Sequence, residues 1–275
     1  MWLIPASTKL QTRDGRHRQN EKTPVIPNEY HFIFLSSGSQ TTKRPFSLIH
    51  YLAIASCQQV NGSGAINLYY DREPDGPWWE RAKPCLRPIQ VEPPANILGR
   101  PITHPAHKSD VLRLQILIEK GGIYLDTDVI SIRPFADLQG FNVVLGQEYG
   151  VGLCNAVILA RAGATFLQEW LSTYRSFNPK EWNTHSVIVP QNLARKRPAD
   201  VHILDHRKFF WPMYWANDFA AFTTRPGSEF SSQSYCVHLW ASITWPYLAA
   251  LTPATLCEGN SEFCSLVRPY VEQWL

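Results

Sequence analysis

The stretch from Ser109 to Asp128, SDVLRLQILIEKGGIYLDTD, limits the folds open to this chain more than any other. Its first part has the spacing of an apolar helix, Ser109–Lys120, and breaks at Gly121-Gly122. A short apolar strand, Ile123–Asp126, then delivers two aspartates with one residue between them. Unpaired carboxylates at the end of a buried strand are costly. They make sense if a cation sits against them, most simply a divalent metal that bridges to a phosphorylated ligand.

The helix-to-strand rhythm extends upstream. Tyr30–Leu35 reads as a buried strand, Pro45–Asn61 as a helix, Ile66–Tyr70 as a second strand and Gly76–Lys83 as a short helix. Ile89–Val91 reads as a third strand, followed by a proline-rich connection into the Ser109 helix. Strand alternating with helix predicts an α/β fold with a mostly parallel sheet flanked by helices. Ligands of such sheets bind outside the carboxyl ends of the strands, where Asp126 and Asp128 fall. The second half is less regular: strands at Val143–Leu145, Ala156–Leu159, His202–Asp205 and Tyr235–Trp240, and helices over Ala164–Tyr174 and 261–274. Residues 1–27 read as a flexible N-terminal segment and 28–275 as a single domain.

Charge excludes some partners. The net charge is only +3, and the basic residues are scattered rather than clustered, which argues against a nucleic-acid partner. No apolar run reaches the roughly 18 residues of a membrane span, and the N-terminus lacks the apolar core of a signal peptide. Ten tryptophans and eleven tyrosines suit stacking on bases or sugars, although most are expected to fill the core. The six cysteines show no zinc spacing; Cys257 and Cys264 are close enough in sequence to close a small loop in an oxidising compartment.

Three groups of residues carry chemistry. Asp126 and Asp128, in an extended segment, would point the same way and reach one hard cation such as Mn²⁺ or Mg²⁺, which prefers oxygen ligands. Asp110 and Arg113 share a helix face and either pair structurally or face the same site. His238 alternates with Trp240 along a predicted strand; it is either a core histidine or a third ligand beside the carboxylates.

Together these pieces resemble the DXD-containing sugar transferases, and within them glycosyltransferase family 32. The matching segments are His31-Phe32-Ile33-Phe34, Tyr69-Tyr70-Asp71, Trp78-Trp79, Ser109-Asp110 with Arg113, and Gly121 to Asp128. Cys154-Asn155-Ala156 and His238-Leu239-Trp240 follow in order. The resemblance implies a GT-A fold and metal-dependent transfer of a hexose from a UDP- or GDP-sugar to a glycan or lipid hydroxyl, with retention at the anomeric carbon. It implies that Ile33 and Phe34 contact the donor base, and that Asp110 and Arg113 hold the donor sugar. It further implies that Asp126 faces ribose and metal, Asp128 is the principal metal ligand and His238 completes the metal shell. Ser109, Tyr124 and Asn155 fall among the donor-binding positions.

The first strand departs from the family pattern, running into Ser36-Ser37-Gly38 where Trp-x-Gly is usual. The resemblance implies the Golgi lumen, where members usually carry an N-terminal anchor; no anchor or signal is seen here, and a soluble cytoplasmic protein is the other expectation. Two other readings compete. DTDVI also fits the loop of haloacid-dehalogenase phosphatases, with Asp126 as nucleophile, and a sugar-nucleotide-binding protein without turnover would retain the same residues.

Overall fold

The computed structural model describes residues 25–36, 45–215 and 217–275. Most of the expected N-terminal segment, and Ser37-Gly38, lie outside the described residues. In chain order the elements begin β1 (Glu29–Phe34), α1 (Leu48–Asn61), β2 (Ala65–Tyr70), α2 (Pro77–Ala82) and β3 (Arg87–Gln90). A small hairpin, β4 (Asn96–Ile97) and β5 (Arg100–Pro101), precedes α3 (Pro105–Lys120), β6 (Gly122–Leu125) and β7 (Val129–Ser131). Next come β8 (Val143–Glu148), β9 (Gly152–Ala160), α4 (Thr165–Ser172), α5 (Val189–Lys196) and β10 (His202–Leu204). The chain ends with α6 (Asn217–Thr224), β11 (Cys236–His238), α7 (Ala241–Ala249), α8 (Pro253–Glu258) and α9 (Glu262–Val267).

The main sheet has strand order β10-β8-β9-β6-β1-β2-β3. It is parallel apart from β9, which runs antiparallel to both neighbours, β6 and β8. The reversal has a local cause: β8 and β9 are joined by a tight turn, and only antiparallel partners can be joined that way. A mostly parallel sheet flanked by helices is the expected α/β architecture, the GT-A fold of nucleotide-diphospho-sugar transferases. Strand alternation divides the core between the two faces. Phe32, Phe34, Ile123 and Leu125 pack with α1 and the C-terminal helices. Ile33 and Tyr124 pack with α3 and α4.

Several predicted boundaries move. α1 starts at Leu48 rather than Pro45, because Ser47 and His50 form a reciprocal cap there. α3 starts four residues earlier than Ser109, at Pro105, whose fixed φ suits a first helical position. The third strand is Arg87–Gln90, so Val91 lies beyond it. β9 is longer than expected and includes Cys154 and Asn155. The 261–274 helix breaks after Val267, where Pro269 lies in a short 3₁₀ turn. Tyr235–Trp240 shrinks to β11, which joins β7 in a separate antiparallel pair instead of the main sheet. Cys257 and Cys264 are both free thiols. Trp79 is core, packed edge-on against Phe46, and Trp78 lies against Tyr51, so this pair builds the fold rather than a sugar platform.

The glycine break sets where the aspartates emerge. Gly121 ends α3 at φ 67°, and its N–H closes on the Leu117 carbonyl. Nε2 of buried His31 lies 2.9 Å from the Gly121 carbonyl oxygen, and Nδ1 lies 3.3 Å from the Tyr69 hydroxyl. Burial lowers the His31 pKa, so a neutral ring donates from Nε2 and accepts at Nδ1. Gly122 has φ 105°, and a Cβ there would lie 2.6 Å from both the Glu29 carbonyl oxygen and His31 Nε2. Gly122→Ala is therefore expected to cost about 2–4 kcal/mol, read as a fall in the denaturant midpoint. A variant as stable as the parent would show that this contact relaxes freely.

Candidate active site

Tyr124 and Asp126 occupy alternate positions of one extended run and point to the α3 face. The Asp126 N–H continues the ladder by donating to the Ala156 carbonyl, 2.9 Å away. Its Oδ1 accepts from the Tyr124 hydroxyl at 2.5 Å and pairs with Arg113 at 3.2 Å. Arg113, one of the most buried charges in the molecule, is fully committed. Its guanidinium lies 3.0 Å from Asp110 Oδ1, donates to the Asn155 carbonyl at 2.8 Å and to the Ser109 carbonyl at 3.2 Å, and stacks 4.5 Å over the Tyr124 ring. Asn155 Nδ2 donates to the same Asp110 oxygen at 2.7 Å. The Asp110/Arg113 pair thus faces the site, and Asn155 joins it from β9. Burial alone would lower the Arg113 pKa, but the Asp126 and Asp110 carboxylates reverse this and raise it further.

Asp126-Thr127-Asp128 is not extended, contrary to expectation. The Val129 N–H donates to the Asp126 carbonyl at 3.0 Å, closing a turn. Asp128 therefore comes close to Asp126 through the turn and not by strand alternation. It leads into β7, whose antiparallel partner β11 brings His238 opposite Val129. His238 Nε2 lies 3.3 Å from Asp128 Oδ2, which also accepts the Ala241 N–H at 2.7 Å. The Leu239 N–H donates to the Asp128 carbonyl at 3.0 Å, and Trp240 turns the chain in the left-handed region at φ 56°. Burial would raise the Asp128 pKa, but His238 and the Ala241 N–H outweigh it and hold the group at about 2. Burial likewise opposes charge on His238, yet Asp128 leaves its pKa raised.

These residues fit a hard cation. Ligand atoms of Asp126, Asp128 and His238 all lie within 4.8 Å of one another. Among the described residues, each aspartate keeps one oxygen outside any hydrogen bond: Oδ2 of Asp126 and Oδ1 of Asp128. Burial, with the neighbouring Asp128 charge, raises the Asp126 pKa despite Arg113, a repulsion that a cation between the two would relieve.

The cluster opens into a cavity of about 800 Å³. Ile33, Phe34, Ser109, Asp110, Tyr124, Asn155 and His238 all line it. Every residue expected at the site is thus brought to one cavity. Sequence reading did not single out further lining residues, among them Glu148, Tyr214, His104, His107 and Trp182. Glu148 is buried at the end of β8, and burial raises its pKa. The available signal is an acid that closes the strand begun by the apolar run Val143–Leu145. Asp71, within a matching motif, instead accepts from the Ser36 N–H and hydroxyl at 2.8 and 2.5 Å, tying the end of β1 to β2.

Residues 28–149 match the family model described as "Glycosyltransferase sugar-binding region containing DXD motif". The chain is 34% identical to Glucan organizing enzyme 1 of Cryptococcus neoformans var. grubii, across 91% of this chain and 72% of that protein. It is 27% identical to human Alpha-1,4-N-acetylglucosaminyltransferase, covering 48% of this chain and 42% of that one. Among solved structures, PaToxG Glycosyltransferase aligns at 19% identity and TM-score 0.48, covering 64% of this chain and 70% of that one. With a relative this similar along most of both chains, and with the aspartate turn inside the matched region, the phosphatase reading falls away: the chain belongs to the DXD-motif glycosyltransferase family and is a glycosyltransferase.

Proposed function

We propose that residues 28–275 act as one catalytic domain that moves a hexose from a UDP- or GDP-sugar to a glycan or lipid hydroxyl. The observation that carries this reading is the meeting of Asp126, Asp128 and His238 beside the Asp110/Arg113/Asn155 cluster in one cavity. Asp126, Asp128 and His238 would hold Mn²⁺ or Mg²⁺, which when bound neutralises charge on the departing diphosphate. Ile33 and Phe34 offer an apolar surface to the base, and Asp110 and Asn155 accept and donate to sugar hydroxyls. Arg113 fixes Asp110 and Asp126 in place and adds positive charge near the bond that breaks.

Asp110 and Asp126 are both engaged by Arg113, which makes them poor nucleophiles. A same-face attack by the acceptor hydroxyl, with its proton passing to the leaving phosphate, would then give retention. The family resemblance supports action in the Golgi lumen; among the described residues, no helix is long and apolar enough to cross a membrane.

The test is a panel of UDP- and GDP-sugars incubated with Mn²⁺, Mg²⁺ or EDTA and scored for nucleotide release. Release from at least one donor, abolished by EDTA, is expected, with NMR of the product giving the anomeric configuration. Donor binding without release or transfer would instead support a non-catalytic sugar-nucleotide protein. Release that is indifferent to EDTA would remove the metal.

A further inference from the structure

Beyond Asp110, the cavity wall holds a group that this chemistry leaves unused. His104, His107 and Trp182 line it together. His107 is only 4% exposed, and among the described residues neither of its ring nitrogens has a hydrogen-bond partner. Its ring centre lies 5.6 Å from His104, 5.3 Å from Trp182 and 5.1 Å from Phe177. A buried imidazole with both nitrogens unmet is unfavourable, and such groups ordinarily find a partner. Burial lowers the His107 pKa, so the neutral ring offers one donor and one acceptor. Trp182, in contrast, is 52% exposed. It sits against both imidazoles, just ahead of the irregular π-type turn Thr184–Ile188.

We infer that His107 and Trp182 form the subsite that reads the hydroxyls of the transferred hexose farthest from its anomeric carbon, and so select which sugar is moved. The inference rests on the function proposed above. His107 lies one helical turn before Asp110 on the same face of α3, so a hexose held by Asp110 and Asn155 meets His107 next. A sugar hydroxyl both donates and accepts, which matches a neutral imidazole with two unmet nitrogens. A flat indole covers the C–H face of a pyranose. Trp182 now lies over the imidazole, so it shifts as the sugar enters and the hydroxyl takes its place. A site built to satisfy a hydroxyl rejects the epimer that points it elsewhere, because the buried ring is then left unpaired.

The test uses the full chain with Mn²⁺ and no acceptor, so that water receives the sugar. Hydrolysis of UDP-glucose against its C4 epimer UDP-galactose, and of GDP-mannose against its C4 epimer GDP-talose, is compared in the parent, His107→Phe, His107→Gln and Trp182→Ala. Inhibition by UDP and GDP is measured in parallel. The expected result is a fall of about tenfold or more in kcat/KM for the preferred donor in His107→Phe and Trp182→Ala, with a flattened preference between epimers. Inhibition by the nucleotide should be unchanged, and His107→Gln should recover part of the loss, because it keeps a donor and an acceptor. Trp182 is half exposed, so its variant remains informative if His107→Phe fails to fold. Unaltered kcat/KM and preference would overturn the inference, as would an equal loss of nucleotide affinity. A parent enzyme inert toward every donor would defeat the underlying function itself, and it is scored before any variant.

Discussion

Asp128→Ala is expected to reduce metal-dependent nucleotide release by at least about a hundredfold, since even partners that only orient a metal ligand cost 10–100-fold. The same carboxylate accepts the Ala241 N–H, so the alanine variant also removes a hydrogen bond from the turn after β11. Asp128→Asn separates the two effects: its amide oxygen can still accept from Ala241, but the anionic ligand is gone. Both variants should lose turnover, while the asparagine variant should unfold close to the parent temperature. Raising Mn²⁺ should restore part of the activity if the defect is weakened binding. Parent-like turnover in both variants, with Mn²⁺ supplied, would remove Asp128 from the metal site.

Arg113→Met should be the most destabilising single change among the site residues, by about 3–5 kcal/mol. The methionine fills a similar volume but leaves Asp110 and Asp126 without their shared cation, and strips the Asn155 carbonyl of its donor. The loss should appear in the denaturant midpoint, and Asp110→Asn in the same chain should recover part of it by removing one stranded charge. Arg113→Lys keeps the charge but lacks the planar fork that spans both carboxylates, so an intermediate stability is expected. An unchanged midpoint in Arg113→Met would mean that the carboxylates are relieved in some other way, and that the arginine does not organise the site.

How much of this was legible beforehand follows the reach of the interactions. The α3–β6 unit was readable because its signals are local: helical apolar spacing, a glycine pair and carboxylates two apart. Asp110 and Arg113 could be placed on one face for the same reason, although only their shared contacts with Asn155 and Asp126 placed that face at the candidate site. The aspartate turn was misread as extended. One carboxylate serves Arg113 and Tyr124 while the other serves His238 and Ala241, and that division is written in distant segments.

By itself, then, the chain's pattern of apolar and polar residues determined an alternating α/β layer and put an acid pair at the end of a buried strand. Those outcomes depend on backbone geometry over a few residues, which any helix or strand of that spacing must obey. Only the tertiary structure decided that β11 leaves the main sheet to set His238 against Asp128, and that His107 packs against Trp182. Each of these joins residues far apart in the chain, through packing and burial that no short window of sequence contains.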